Sequence, residues 1–326
     1  MLKLYCALLP IFLVSSALAA PKEKDDFDAK VKKSTETAIA SLKKLQQEDG
    51  GWEGDPAFVA FRGGVTALAI LALLENSVAV EDIAVVKGLK VIRELDTKQT
   101  YVISLQTMVL CKANQKRDRE QIQKNVDWLM SARVLKSEAL TGWTYNSGPT
   151  GRADNSCTAY AVMALRAAKQ AGAKVDEKLW KDLRDLYLRT QHNDGGWGYM
   201  PENASPTTQT MTMAGMNSLL TADELLGDTT DASKKSVQQG FGRLLKDFEV
   251  MRQTFTGYNL FGIARLGKLR GGETIFAAGD KKIDWYREGV QGLLKVQRAD
   301  GSFSFQGCER PPLATSFALI FFAAGK

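Results

Sequence analysis

Gln46-Gln47-Glu48-Asp49-Gly50-Gly51-Trp52 returns as Gln191-His192-Asn193-Asp194-Gly195-Gly196-Trp197, and again, with phenyl in place of indole, as Gln297-Arg298-Ala299-Asp300-Gly301-Ser302-Phe303. Each copy closes one helical period and leads toward an apolar run. Asp-Gly demands a turn with positive φ at the glycine, and the aromatic that follows is expected to fold back over that turn. A corner written three times in one chain predicts a repeat architecture.

The segments on either side of the corners differ in kind. Before the second corner, Leu179, Leu183, Leu186 and Tyr187 fall on one helical face, and Tyr286, Val290, Leu293 and Leu294 do the same before the third. Such one-sided helices belong on the outside of a layer. After the corners come Thr66-Ala-Leu-Ala-Ile-Leu-Ala-Leu73, Thr158-Ala-Tyr-Ala-Val-Met-Ala-Leu165, Thr212-Met-Ala-Gly-Met-Asn-Ser-Leu219 and Thr315-Ser-Phe-Ala-Leu-Ile-Phe-Phe322, apolar nearly all round. Helices of that composition must be covered on every side. Ser104-Leu-Gln-Thr-Met-Val-Leu-Cys111 and Asn259-Leu-Phe-Gly-Ile-Ala-Arg-Leu266 are weaker copies. The small polar residues Thr66, Ser104, Thr158, Thr212, Asn259 and Thr315 then recur every 40 to 55 residues or so, the period of a two-helix repeat.

Six hairpins with alternating amphipathic and apolar helices predict an all-α chain, an α/α toroid with six inner helices inside six outer ones. Closure is expected over an open stack, because neither end carries a polar cap and Lys326 follows directly on the sixth inner segment. The Gln-x-x-Asp-Gly-Gly-Trp corners, each followed by a small-residue apolar helix, resemble the QW repeats of squalene and hopene cyclases and the wider prenyltransferase and squalene-oxidase repeat. The resemblance spans roughly residues 30 to 326 and implies the toroid.

Its chemistry carries over only in part. Hopene-type cyclases place an Asp-x-Asp-Asp-Thr-Ala segment at the head of an inner helix. The segment here is Asp154-Asn155-Ser156-Cys157-Thr158-Ala159, which keeps the first Asp and the Thr-Ala but not the acidic pair. Prenyltransferase β subunits hold zinc with Asp, Cys and His, whereas this chain has a single histidine, His192, placed in a corner and expected to face solvent. Thioester toroids use Gly-Cys-Gly-Glu-Gln. Gly307-Cys308-Glu309-Arg310 stands in a comparable place without the glutamine, and leaves Cys308 as the loop thiol to test. No cofactor and no metal is expected.

The candidate site is the set of polar and aromatic groups at the inner-helix heads: Trp143, Tyr145, Arg152, Asn155, Ser156, Tyr199, Thr208 and Tyr258 as ligand-binding residues, with Asp154 as the one candidate acid. Arg62, Thr207 and Gln209 stand nearby in the pattern. Trp143, Tyr145 and Tyr258 offer flat faces to a sugar or an isoprenoid, and Arg152 can pair with Asp154 across the mouth. The same Asp, Asn and Ser are N-cap residue types directly ahead of an apolar helix, so capping is the competing role. Trp52 and Trp197 are expected as corner plugs, and Trp128, Trp180 and Trp285 as core between the two rings.

Composition bounds the function classes. The 326 residues are 44% hydrophobic and 25% charged with a net charge of +6, and the two signs are interspersed, which suits a solvated surface and not a nucleic-acid groove. Met1 to Ala20 has Lys3, an apolar run from Leu4 to Val14 and a small-residue end, the layout of a leader cleaved near Ala19-Ala20, so residues 21–326 are read as one exported toroid domain. No later stretch is apolar for long enough to span a bilayer. Without its leader the chain keeps Cys111, Cys157 and Cys308, with no ligand spacing among them. Two functions follow from the sequence. One is an exported toroid binding an apolar or isoprenoid ligand, a polysaccharide or a protein partner at its mouth. The other is an enzyme using Asp154 as acid, either terpenoid cyclase-like with Asp154 alone or polysaccharide-active with Glu309 or Asp300 beside it.

Overall fold

The structure, a computed structural model, describes residues 21–53, 61–114, 116–146, 152–202 and 205–325. The expected leader and its cleavage point lie outside the described residues. Outer helices α1 (Pro21–Lys44), α3 (Ile83–Arg93), α5 (Arg119–Ser131), α7 (Lys178–Arg189), α9 (Asp231–Leu244) and α11 (Trp285–Val296) alternate with inner helices α2 (Gly64–Glu75), α4 (Thr100–Asn114), α6 (Asn155–Gln170), α8 (Gln209–Leu226), α10 (Thr256–Leu269) and α12 (Pro311–Phe322). Each inner helix packs on the next, and α12 packs back on α2, so the ring closes. The fold is an all-α, six-hairpin α/α toroid.

Burial follows the two sequence patterns. In α2 every residue from Val65 to Leu74 is buried, whereas α7 buries only Leu179, Trp180, Leu183, Leu186 and Tyr187. Trp180 and Trp285 are fully buried between the layers, and Trp128 is half-buried. Two short hairpins, β1 (Val134–Lys136) with β2 (Ala139–Gly142) and β3 (Ile275–Ala278) with β4 (Lys281–Asp284), occupy the connections from α5 to α6 and from α10 to α11.

The corners explain the closure. Gln46 Nε2 donates to the carbonyl of Gly50 in its own turn and to that of Ala84 in α3, 2.9 and 2.8 Å away. Gln191 does the same to Gly195 and to Ser236 of α9. Gln297 reaches Gly301 and Ser34 of α1, 263 residues back, and so stitches the last outer helix to the first. Gly50, Gly195 and Gly301 have φ of 89°, 90° and 81°, and a Cβ on any of them would come within 2.9 Å of a carbonyl oxygen of the neighbouring outer helix. Positive φ and close approach together require glycine. Behind the turn, the indole N–H of Trp52 donates to Leu42 O at 2.7 Å and that of Trp197 to Tyr187 O at 3.0 Å.

The aligned small polar residues pin these corners from inside. Thr66, Thr212 and Thr315 accept the backbone N–H of Trp52, Trp197 and Phe303. Asn259 does related work as a donor, to the carbonyls of Glu249 and Val250. Ser104 does not: its hydroxyl is buried without a hydrogen-bond partner, so the second repeat departs from the aligned pattern.

Candidate functional site

Asp154 is the N-cap of α6, with φ −130° and ψ 151°. Its Oδ1 accepts the Cys157 N–H at 2.8 Å and the Ser156 hydroxyl at 2.5 Å, while Oδ2 accepts no hydrogen bond among the described residues. At 3% exposure the carboxylate is nearly enclosed. Capping therefore accounts for the Oδ1 oxygen. Ser156 is spent on Asp154. Asn155 staples α6 to the second corner: its side chain donates to Gly198 O at 2.9 Å and its backbone N–H to Tyr199 O at 2.8 Å. Thr208 caps α8 through Met211 N–H.

Trp143 is a plug. It is fully buried, its indole N–H donates to Leu129 O at 2.7 Å, and its backbone N–H donates to Thr158 at 3.0 Å, the same set of bonds that holds Trp52 and Trp197. It offers no face to a ligand, and its resemblance to a corner aromatic was hidden because a β-hairpin replaces the Gln-x-x-Asp-Gly turn ahead of it. The Arg152–Asp154 pair does not form: Arg152 is exposed and makes no ion pair among the described residues, whereas Asp154 is buried. Arg62 is exposed as well, and Gln209 is held by Glu249 O and Asn259. His192 is half-buried, its Nδ1 sharing a 2.8 Å hydrogen bond with Thr207 Oγ1, and does not stand free in solvent. Cys308 is exposed and Cys157 buried.

The structure does bring the tyrosines together. Tyr145 and Tyr199 share a 2.8 Å hydrogen bond between hydroxyls, and both rings are partly open to solvent. Below them a column of rings descends the axis. Phe61 meets Tyr145 at 6.0 Å and Tyr101 at 6.3 Å, Tyr145 meets Tyr101 at 5.7 Å, and Tyr101 meets Tyr160 at 4.5 Å. Tyr160 in turn stacks on Tyr258 at 6.3 Å and on Phe261 at 5.5 Å, with Phe317 beyond. The cavity between Tyr160, Met213, Tyr258 and Phe261 is only about 20 Å³, on the scale of a water, so this depth of the lumen is filled by its own side chains.

Burial pushes the phenols of Tyr101, Tyr145, Tyr199 and Tyr258 above their ordinary range, and the Asp154 charge adds to this at Tyr145, Tyr199 and Tyr258. The head of the ring thus gathers neutral phenol O–H groups beside the Asp154 carboxyl. Tyr101, Tyr160 and Phe61 were absent from the sequence-based set. Tyr101 opens α4 directly after Thr100, and an alignment of the helix heads free of the misplaced Ser104 would have exposed it. Glu309, expected only as a partner of Asp154 in polysaccharide chemistry, is buried, with its carboxylate accepting the Gly257 and Tyr258 N–H groups at the start of α10. Burial raises its pKa, offset by those two bonds.

Solved structures share the ring. Type II terpene cyclase MstE from Scytonema, in complex with merosterolic acid A, is 14% identical with a TM-score of 0.63, over 92% of this chain and 98% of that one. The same enzyme with geranylgeranyl dihydroxybenzoate gives 14% and 0.60 over the same shares. A possible member of the GH105 family from Salmonella enterica gives 11% and 0.57, over 99% and 98%. No protein-family model and no curated protein matches the chain. At these identities the likeness is one of fold: the chain is a toroid of the architecture that terpene cyclases and GH105 proteins share.

Proposed function

We propose that the protein is an exported binding toroid that holds an extended ligand, with an isoprenoid-like apolar body and a hydroxylated end, at the head of the ring. The observation that carries this reading is the half-open Tyr145–Tyr199 pair above the Phe61–Tyr101–Tyr160 column, with the unbonded Oδ2 of Asp154 close enough for its charge to act on both phenols. Rings supply apolar area, and the hydroxyls and carboxylate supply fixed polar partners for the ligand's end. The isoprenoid substrate and product named for the terpene cyclase neighbours favour that class over a polysaccharide or a protein partner. Export rests on the leader-like Met1 to Ala20.

Titrating the protein with geranylgeraniol and, separately, with a neutral oligosaccharide, and following tyrosine fluorescence, tests it. Saturable quenching by geranylgeraniol that weakens in the Y145F/Y199F double variant is expected. No saturable response, or an unchanged one in the variant, overturns the reading. The free Oδ2 also favours an alternative in which Asp154 does acid or base work on the same ligand. D154N separates the two, since turnover would cease while quenching persists.

A further inference from the structure

At the opposite end of the ring, where the inner helices finish, lies a cavity of about 350 Å³ whose walls come from α2, α4, α6, α8 and α10. Its floor is apolar, with Leu71, Met108, Cys111 and Met163. Its rim is charged, with Glu75, Lys112, Arg166, Arg265 and Lys268.

The charges do not balance within the rim. Glu75 is buried and is shared by Arg265 at 2.7 Å and Lys268 at 2.6 Å. Arg166 is taken by Glu224 in a bidentate pair. Lys112 makes no hydrogen bond or ion pair among the described residues, so four cations meet two carboxylates. Burial lowers the pKa of Lys268, and Arg265 and Lys112 add to the lowering against the pull of Glu75, which shows that like charges crowd together there. One donor in the wall also lacks a partner. Arg265, stacked over Phe261 at 4.7 Å, has a buried Nε with no acceptor among the described residues. Buried polar atoms without partners are rare in folded proteins. Cations near helix C-termini are favoured by the helix dipole alone, which explains Lys112 but neither the cavity nor the buried orphan on Arg265.

We infer that this tail-end cavity is a second binding site, for a small organic anion, a carboxylate or a phosphate monoester, whose apolar body lies on the methionine floor while its charged group meets Lys112 and Arg265. The volume falls in the range of small-molecule pockets.

Calorimetric titration with hexyl phosphate, hexanoate and hexan-1-ol tests it, and the first two arms decide between phosphate and carboxylate. At least one anion is expected to bind about tenfold more tightly than the alcohol, as a charge-assisted contact requires. Lys112→Ser, at an exposed residue without partners, is expected to weaken that anion severalfold and leave the alcohol unchanged. Ala167→Phe, which places a ring in the cavity, weakens both, and Y145F/Y199F alters neither. Equal affinity for anion and alcohol, indifference to Lys112→Ser, or loss of binding in Y145F/Y199F would each overturn the assignment. The last result would place the probe at the head end. Failure here leaves the head-end reading intact, because that reading is tested with uncharged ligands.

Discussion

Trp197 and Tyr199 stand two residues apart, and yet one is fully buried and the other 39% exposed. Trp52 and Trp197 each bury an indole behind a turn and spend its N–H on a carbonyl of the preceding outer helix. Tyr145 and Tyr199 spend their hydroxyls on each other and leave ring edges open. The same end of the same ring therefore carries two sets of aromatics, one that holds the helices in place and one with nothing structural to do. Burial and hydrogen bonding tell them apart, and residue type does not.

The largest effect is expected where the comparison places all the stability. Trp197→Ala removes a fully buried ring packed against Gly215 and Gly240, and should cost about 3–5 kcal/mol, read as a lower urea midpoint. A cost similar to that of an exposed aromatic would abolish the distinction. Next comes the acid limb of stability, governed by the tail end. Arg265 and Lys268 hold Glu75 down to about 2 against its burial, from 4.5. A depressed folded-state value means that the contribution, on the order of 3 kcal/mol, is complete above the unfolded pKa of 4.5 and is lost as pH falls toward 2. Melting temperatures across that window should fall more steeply in the wild type than in E75Q. Parallel curves would show that the pair contributes nothing.

These corners were legible in the sequence because their determinants are local. Gln, Asp-Gly and the aromatic lie within seven residues, and each makes a bond that its position dictates. Trp143 escaped because its hairpin supplies the same geometry from different residues, with Thr158 as the only shared signal. The tyrosine column was legible only in part, through Tyr145 and Tyr258, and for another reason. Tyr101, Tyr160 and Tyr258 come from α4, α6 and α10, and only ring closure sets them within 4.5 and 6.3 Å of one another. The charged tail is likewise assembled from five helices. Of the two roles read for Asp154, the cap is the one that its Oδ1 fills.

Gly195→Ala sharpens the comparison at a point where no side chain is lost. The added Cβ would lie 2.6 Å from Gln239 O at a φ of 90°, so strain and collision should cost about 2 kcal/mol. Because the clash pushes α9 away from the second corner, thermal denaturation should reveal the loss while geranylgeraniol quenching is preserved. Loss of quenching at unchanged stability would mean that the corner and the head cluster are one unit.

The smallest effect on stability and the most specific effect on binding should coincide in Tyr145→Phe. The hydroxyl that is removed shares its hydrogen bond with the Tyr199 hydroxyl, and both residues are more than a third exposed, so the stability change should stay within about 0.5 kcal/mol. The ring itself remains against Phe61 and Tyr101, so apolar contact with a ligand is kept. What disappears is one neutral O–H donor, and Tyr199 then turns its own hydroxyl to water. Affinity for geranylgeraniol should drop severalfold, while that for the corresponding hydrocarbon, which has no hydroxyl to place, should not change. An equal drop for both would make Tyr145 a packing residue like Trp197, and the two sets of aromatics would no longer differ in kind.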